Sequence, residues 1–219
     1  MVSVVGVGPG SSLYLTALAR QRIEEAEVLM GGVRLLALFP GVRGKKIPLR
    51  EKADLERVVR RFQRVVVLAS GDPLLFGVTD WVLSLVPPEE VEIVPGVSSF
   101  QYMLARLRVP LKDVAVVSLH GREGEISHLV RAYQTVVVFT DTRYTPVAIA
   151  RMLLESGLTE YTICVGEQLS YEDESIRYFS VEELAQSKDN FRLNLVVIQR
   201  CIPSSLASPT VYFDVATSP

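Results

Sequence analysis

Short runs of β-branched and aliphatic residues alternate along this chain with segments whose apolar positions recur every three or four residues. Val2–Val7 is such a run, and Leu15, Leu18, Ala19, Ile23 and Ala26 then predict a helix over Leu13–Ala26. Val28–Met30 predicts a strand, Val33–Phe39 a brief helix, Ile47–Leu49 a strand and Asp54–Phe62 an amphipathic helix opening near an acidic residue. Strand Arg64–Ala69, helix Leu74–Val86, strand Val91–Val94 and helix Ser98–Leu107 follow. Alternation of this kind predicts parallel strands joined by right-handed crossovers.

A second alternation begins after Pro110-Leu111-Lys112-Asp113, which reads as a linker. It comprises strand Val114–Leu119, helix Glu125–Tyr133, strand Thr135–Phe139, helix Pro146–Glu155 and strand Tyr161–Val165. Strand Ser175–Phe179, helix Val181–Gln186 and strand Leu193–Gln199 complete it. The turn-rich stretch before Ser175 is shorter than the dozen or so residues of a parallel crossover, so this sheet is expected to be mixed. The expected class is therefore α/β in two domains. Residues 1–109 carry a mostly parallel, Rossmann-like sheet, 110–113 the linker and 114–202 a mixed sheet. The remainder, 203–219, is a Ser/Thr/Pro-rich tail expected to be flexible, although Val211-Tyr212-Phe213 has the character of an edge strand.

Composition narrows the function classes. A chain of 219 residues is long for one domain and comfortable for two. With 48% hydrophobic and 22% charged residues it can bury a substantial core. A net charge of −2 and a pI near 5.8 supply no basic field to draw nucleic acid or anionic membrane, and no basic stripe suggests RNA. No apolar run approaches the roughly 20 residues that span a bilayer. The amino terminus enters a strand without a signal-like segment, so a cytoplasmic location is expected. Cys164 and Cys201, the only cysteines, are too few for a disulfide framework, and Cys164 in its apolar run is expected to be a small core residue.

The chemistry lies at the strand ends. Val5-Gly6-Val7-Gly8-Pro9-Gly10 closes the first strand, and Ala69-Ser70-Gly71-Asp72-Pro73-Leu74-Leu75-Phe76-Gly77 closes Val65-Val66-Val67-Leu68. In open α/β sheets ligands bind beyond the carboxyl ends of the strands. A dinucleotide fingerprint needs G-x-G-x-x-G, whereas here the third glycine comes one place early, at Gly10, and Pro9 removes an N–H. The acidic residue expected at the end of the second strand is replaced by Met30-Gly31-Gly32, and no Walker-type loop is present. A nucleotide phosphate is thus disfavoured, and a tight strand-to-helix turn stands as the simpler use of these glycines. In the second turn, Asp72 and Pro73 suit a helix N-cap and first helical position. Yet Gly71 and Gly77 bracket the corner and leave main-chain carbonyls open to a ligand. The third turn, Pro95-Gly96-Val97-Ser98-Ser99, has Ser98 as its N-cap candidate. Three such turns along one sheet edge suit a neutral or cationic adenosine ligand without phosphates, of which S-adenosylmethionine is one.

Gly6-Val7-Gly8-Pro9-Gly10, Gly71-Asp72-Pro73 and Pro95-Gly96-Val97-Ser98-Ser99, in this order, resemble the tetrapyrrole methylases. The likeness runs from Val2 to about Gln199. Met30-Gly31-Gly32 with Arg34 and Phe39-Pro40 resembles the precorrin C5-methyltransferase (CbiE-type) branch. So do Val117-Ser118-Leu119-His120-Gly121-Arg122, Thr140-Asp141 with Thr145-Pro146, Gly166-Glu167-Gln168-Leu169-Ser170-Tyr171 and Leu193-Asn194-Leu195-Val196-Val197. Ser11 departs from the pattern, since many relatives place an acidic residue there.

The resemblance implies a homodimer of two α/β/α domains with S-adenosylmethionine in the cleft between them. It implies cofactor contacts at Pro9, Gly71, Asp72, Leu75, Ser98, Ser99, Thr140 and Gly166, and a first glycine loop, Gly8 and Gly10 included, facing the tetrapyrrole. It further implies methylation at C5 of precorrin-7 or its cobalt form, giving precorrin-8 and S-adenosylhomocysteine. The chain stops after the matched region, so the C15-methylating, decarboxylating step is expected to belong to a separate partner. A polycarboxylate substrate calls for local cations. Arg34, Arg122 and Arg143 are candidates, with solvated surface arginines as the plainer alternative. His120 is a candidate proton acceptor or propionate partner, against an ordinary structural role at a strand end. His128 forms no metal pair with it, and no protein-bound metal is expected. Tyr171 and Glu167 are candidates for shaping the pocket. Another tetrapyrrole methylase, a nicotinamide oxidoreductase and a non-catalytic scaffold are the competing classes.

Overall fold

The structure, a computed structural model, describes residues 1–118 and 126–200. His120, Gly121, Arg122, Cys201 and the 203–219 tail lie outside them. The first sheet contains β1 (Val2–Gly6), β2 (Val28–Gly31), β3 (Lys45–Pro48), β4 (Val65–Ala69) and β5 (Val91–Val94), ordered β3-β2-β4-β1-β5 with every pairing parallel. Helices α1 (Ala17–Glu24), α2 (Val33–Ala37), α3 (Lys52–Val59), α4 (Thr79–Leu83) and α5 (Ser99–Leu107) connect these strands and lead out of the sheet. Its central strands are apolar without alternation, as burial on both faces requires: every residue of β1, β2 and β4 is buried.

The second sheet is mixed, as expected. It contains β6 (Val114–Ser118), β7 (Thr135–Phe139), β8 (Tyr161–Glu167), β9 (Ser175–Ser180) and β10 (Asn194–Arg200), ordered β6-β7-β10-β8-β9. Only β6 and β7 run parallel; β10 inserts antiparallel between β7 and β8, and β9 returns as a hairpin strand. Helices α6 (Ile126–Ala132), α7 (Pro146–Glu155) and α8 (Val181–Gln186) belong to this half. The helix α5, which follows the last strand of the first sheet, packs Met103 and Leu104 against Val137, Cys164 and Val197 of the second sheet in one apolar cluster. Cys164 is therefore a core residue, and burial pushes its thiol up to about 12.

Two expected helices are shorter than their periodicity suggests. Leu13–Ala26 is divided into a 3₁₀ turn, Ser12–Tyr14, and α1, because Thr16 adopts extended dihedrals and its Oγ1 caps Ala19 N–H at 3.1 Å. Leu74–Val86 is helical only from Thr79, so Pro73 is not a first helical position and Asp72 caps no α-helix. Instead the Asp72 carboxylate accepts Leu74 N–H at 2.9 Å and Gly96 N–H at 3.2 Å, fastening its own turn and tying it to the next. Ser98 does cap α5, within a capping box completed by Gln101.

Candidate active site

Strands β4, β1 and β5 are neighbours, so the three glycine-bearing turns that follow them converge. Their contact is closer than any side chain permits. A Cβ on Gly6 would stand 2.6 Å from the Gly71 carbonyl oxygen and 2.7 Å from Gly96 nitrogen. Gly8 and Gly71 also exchange two backbone hydrogen bonds, of 3.3 and 3.0 Å. This corrects one expectation. The Gly71 carbonyl is not left open for a ligand, because it accepts the Gly8 N–H. The glycines first let the turns touch one another, and the ligand surface is what the joined turns present.

That surface forms one wall of a cavity of about 520 Å³ between the two sheets. Pro9, Gly71, Asp72, Leu75, Ser98, Ser99, Thr140 and Gly166 all line it. Thr140 and Gly166 come from the ends of β7 and β8, with the Thr140 hydroxyl donating to the Asn194 carbonyl at 2.9 Å. The remaining wall is largely apolar: Leu68, Phe76, Val78, Trp81, Phe139, Leu169, Leu193 and Leu195. Phe76, in a left-handed conformation at φ 52°, stacks edge-on against Phe139 with ring centroids 5.5 Å apart. Asp72 is the one ionisable side chain among the described lining residues.

Sequence reasoning assigned no role to Phe76, Trp81, Phe139 or Asn194 in this wall. Asn194 had a legible signal, a polar residue at the start of a buried strand. Its Oδ1 is buried and has no hydrogen-bond partner among the described residues, while the residue itself lines the cavity. With one carboxylate, hydroxyls and apolar walls but no cation among those residues, the cavity suits an adenosyl group and disfavours phosphates.

A second cavity, of about 490 Å³, lies on the other side of the first turn. Gly10, Ser11, Leu15 and Phe39 meet Ser170, Tyr171, Glu172 and Asp173 there. The β8–β9 loop supplies part of this wall and is fastened to the turn after β1 and to α5. Ser11 N–H donates to Ser170 Oγ at 2.8 Å, and Arg106 pairs with Glu174 at 2.9 Å. Burial and a hydrogen bond to Glu174 push the Tyr102 phenol well above its ordinary range. Tyr171 lies over Gly10, where a Cβ would overlap its ring.

The expected substrate residues are thus distributed unevenly. Gly10 lines the second cavity, while Gly8 is engaged with Gly71. Arg34 stands between the two cavities, donating to the Tyr171 hydroxyl at 2.5 Å and to Ser70 Oγ at 3.4 Å. Arg143 lines neither cavity; its guanidinium lies 5.3 Å from the Tyr144 ring centroid. Glu167 is a buried partner of Arg177 at 3.1 Å and of Arg192 N–H at 2.9 Å, which makes it a support for the β8 end.

Residues 1–185 match the family described as tetrapyrrole (corrin/porphyrin) methylases. The chain is 34% identical over 203 residues to the cobalt-precorrin-7 C(5)-methyltransferase of Salmonella typhimurium, covering 90% of this chain and 98% of that one. Among solved structures, uroporphyrin-III C-methyl transferase of Thermus thermophilus, complexed with S-adenosylhomocysteine, superposes with a TM-score of 0.72 at 31% identity. That alignment covers 90% of this chain and 96% of the other. The cobalamin biosynthesis precorrin-6Y methylase of Archaeoglobus fulgidus gives 0.68 at 26% identity, over 92% and 99%. The order of the turns, the paired sheets and these likenesses agree: this chain belongs to the tetrapyrrole methylases.

Proposed function

We propose that this protein is an S-adenosylmethionine-dependent C-methyltransferase of cobalamin biosynthesis, acting at C5 of precorrin-7 or cobalt-precorrin-7 and yielding precorrin-8. The observation that carries the reading is the first cavity, into which three strand-end turns and the β7 and β8 ends bring eight expected cofactor residues without a cation. The Salmonella relative's name supports the position of methylation.

S-adenosylmethionine, when bound, supplies a methyl group already activated by its sulfonium. The protein's residues have the task of holding and orienting. Asp72 keeps the second and third turns in register and places a carboxylate in the cavity. Ser98, Ser99, Thr140 and Gly166 complete the cradle, with Asn194 beside them in the wall. The apolar wall of Leu75, Phe76 and Phe139 excludes water from the transfer. Holding donor and acceptor in line supplies roughly 7–11 kcal/mol of the barrier, so no nucleophilic side chain or covalent protein intermediate is required. Gly10 and the second cavity hold the macrocycle, with Arg34 engaging a carboxylate. His120 remains the candidate for the proton released at the ring, and Arg122 a further carboxylate partner. The proposal includes a homodimer and a separate C15-methyltransferase/decarboxylase in the same pathway.

Titration with S-adenosylhomocysteine, followed by incubation of labelled S-adenosylmethionine with precorrin-7 or its cobalt form, tests the assignment. Binding and label at C5 are expected. Label at another ring carbon would replace the C5 position within the same family, and an unlabelled macrocycle in competent material would overturn the activity.

A further inference from the structure

Several arginines that link separate elements of this protein are neutralised by carboxylates. Arg22 pairs with Glu92, Arg106 with Glu174, Arg177 with Glu167 and Arg192 with Asp173. Arg34 differs. Among the described residues no carboxylate pairs with it, and its two outer nitrogens donate to neutral oxygens, Nη1 to Tyr171 and Nη2 to Ser70. Those nitrogens form an edge that a carboxylate takes bidentately, and a charged acceptor binds a guanidinium more strongly than two hydroxyls do.

The placement matters as much as the chemistry. Ser70 lines the first cavity and Tyr171 the second, so the guanidinium spans the ridge where a donor in one and an acceptor in the other would meet. Tyr171 reaches this ridge from a loop anchored by the Ser11–Ser170 and Arg106–Glu174 contacts. Its ring covers Gly10 independently of the hydroxyl. The hydroxyl can therefore leave Arg34 without loss of the loop.

We propose that the Tyr171 hydroxyl is a placeholder on Arg34, displaced when a carboxylate of the tetrapyrrole takes the guanidinium, and that this exchange positions the macrocycle at the junction of the two cavities. The proposal rests on the methyltransferase reading above. Arg34 is then a substrate-binding residue, and Tyr171 a positioning residue that acts through it by competition.

Uroporphyrin, an octacarboxylate porphyrin, serves as probe, with its octamethyl ester as the uncharged control. Tyr171→Phe keeps the ring and removes the competitor, so uroporphyrin should bind about threefold more tightly, as expected when a competing state is removed. The tetrapyrrole KM should fall similarly at unchanged kcat. Arg34→Ala should weaken uroporphyrin binding about tenfold or more, and Arg34→Lys should restore only part of it, because a point charge lacks the fork. Adding Tyr171→Phe to Arg34→Ala should change nothing further. S-adenosylhomocysteine affinity, read from Trp81, the single tryptophan and a first-cavity residue, should be the same in all variants. Weaker uroporphyrin binding in Tyr171→Phe, an undiminished Tyr171→Phe effect without Arg34, or equal binding of the ester would overturn the placeholder. Failure of the wild-type protein to bind S-adenosylhomocysteine would instead sink the methyltransferase reading itself.

Discussion

The two cavities are built by opposite means. The first rests on backbone: three turns whose glycines touch, joined by Gly8–Gly71 hydrogen bonds and by a carboxylate that accepts only main-chain N–H groups. The second rests on side chains sent from one loop of the other sheet, with Tyr171, Ser170 and Glu174 making the contacts. Backbone scaffolding cannot be altered by substitution without strain, whereas side-chain contacts can be exchanged one at a time. The difference suits a donor common to a family and a macrocycle whose methylated carbon varies among its members. It also predicts that lesions in the first region fall on folding and donor binding together, while those in the second fall on the macrocycle alone.

The most severe way to break this contrast is at the turn junction. In Gly6→Ala the new Cβ meets main-chain atoms at 2.6 and 2.7 Å, and neither turn can retreat without losing its pairing with β1. A loss of about 3 kcal/mol or more in unfolding free energy is expected, within the range of strain-type lesions. Gly32→Ala is the control, since nothing lies within 4 Å of its Cβ position. Chemical denaturation compares the two. Equal, small losses would show that the turns yield and that the first cavity is not backbone-limited.

Asp72→Ala should come next. It leaves Leu74 N–H and Gly96 N–H without their acceptor, an effect of about 1–3 kcal/mol for hydrogen bonds to a charged group. The loss should appear in S-adenosylhomocysteine affinity by calorimetry, as roughly tenfold or greater weakening, with uroporphyrin affinity unmoved. Asp72→Asn sharpens the point. It removes the charge and keeps one acceptor oxygen, enough for only one of the Leu74 and Gly96 N–H groups, so partial recovery of donor binding above Asp72→Ala would assign Asp72 a loop-holding role. Unchanged affinity in Asp72→Ala would remove Asp72 from the donor site altogether.

Much of the first cavity was legible in the chain, and little of the second. The apolar runs locate the strands because burial on both faces demands continuous Val, Leu and Ala, and short strands ending in glycine locate the turns. Ser98 also announces its cap. The segment 72–78 misleads, because Leu74, Leu75 and Val78 repeat with helical spacing, yet Leu75 and Val78 line a cavity and Leu74 is exposed to solvent. The Asp72 carboxylate on Leu74 N–H and the Thr79 hydroxyl on the Pro73 carbonyl hold that segment as a turn, and apolar spacing carries no trace of either contact. The Arg34–Tyr171 contact spans 137 positions and arises from how one sheet's loop wraps the other, so spacing cannot announce it. Arg34, Arg122 and Arg143 are alike in the chain as cations beside the matched turns, but only the fold separates Arg34, at the junction, from Arg143, stacked on Tyr144.

The smallest effect concerns the strand that carries the third turn into the first cavity. Glu92 on the edge strand β5 accepts Arg22 Nε at 2.6 Å, Arg22 Nη2 at 2.9 Å and Ser3 Oγ at 2.9 Å. The Arg22 hydrogen bonds, with help from Ser3, hold its carboxyl below the ordinary value of 4.5. A carboxyl lowered by folding adds stability above its unfolded value, and the gain is lost as pH falls through the lower, folded value. Glu92→Gln should therefore cost about 1 kcal/mol near neutrality, the scale of a well-formed but partly exposed ion pair. Wild type and variant should converge as pH falls from about 5 toward 3. The decline will be shallower in the variant rather than absent, because Glu27, Asp54 and Asp173 are lowered by their own partners as well. Urea midpoints across pH 3–8 measure this. Donor affinity at pH 7 should barely change, since the turn beyond Glu92 is held by Asp72 and the glycine junction. A loss of donor binding as large as that of Asp72→Ala would mean that the first cavity depends on side-chain anchorage after all.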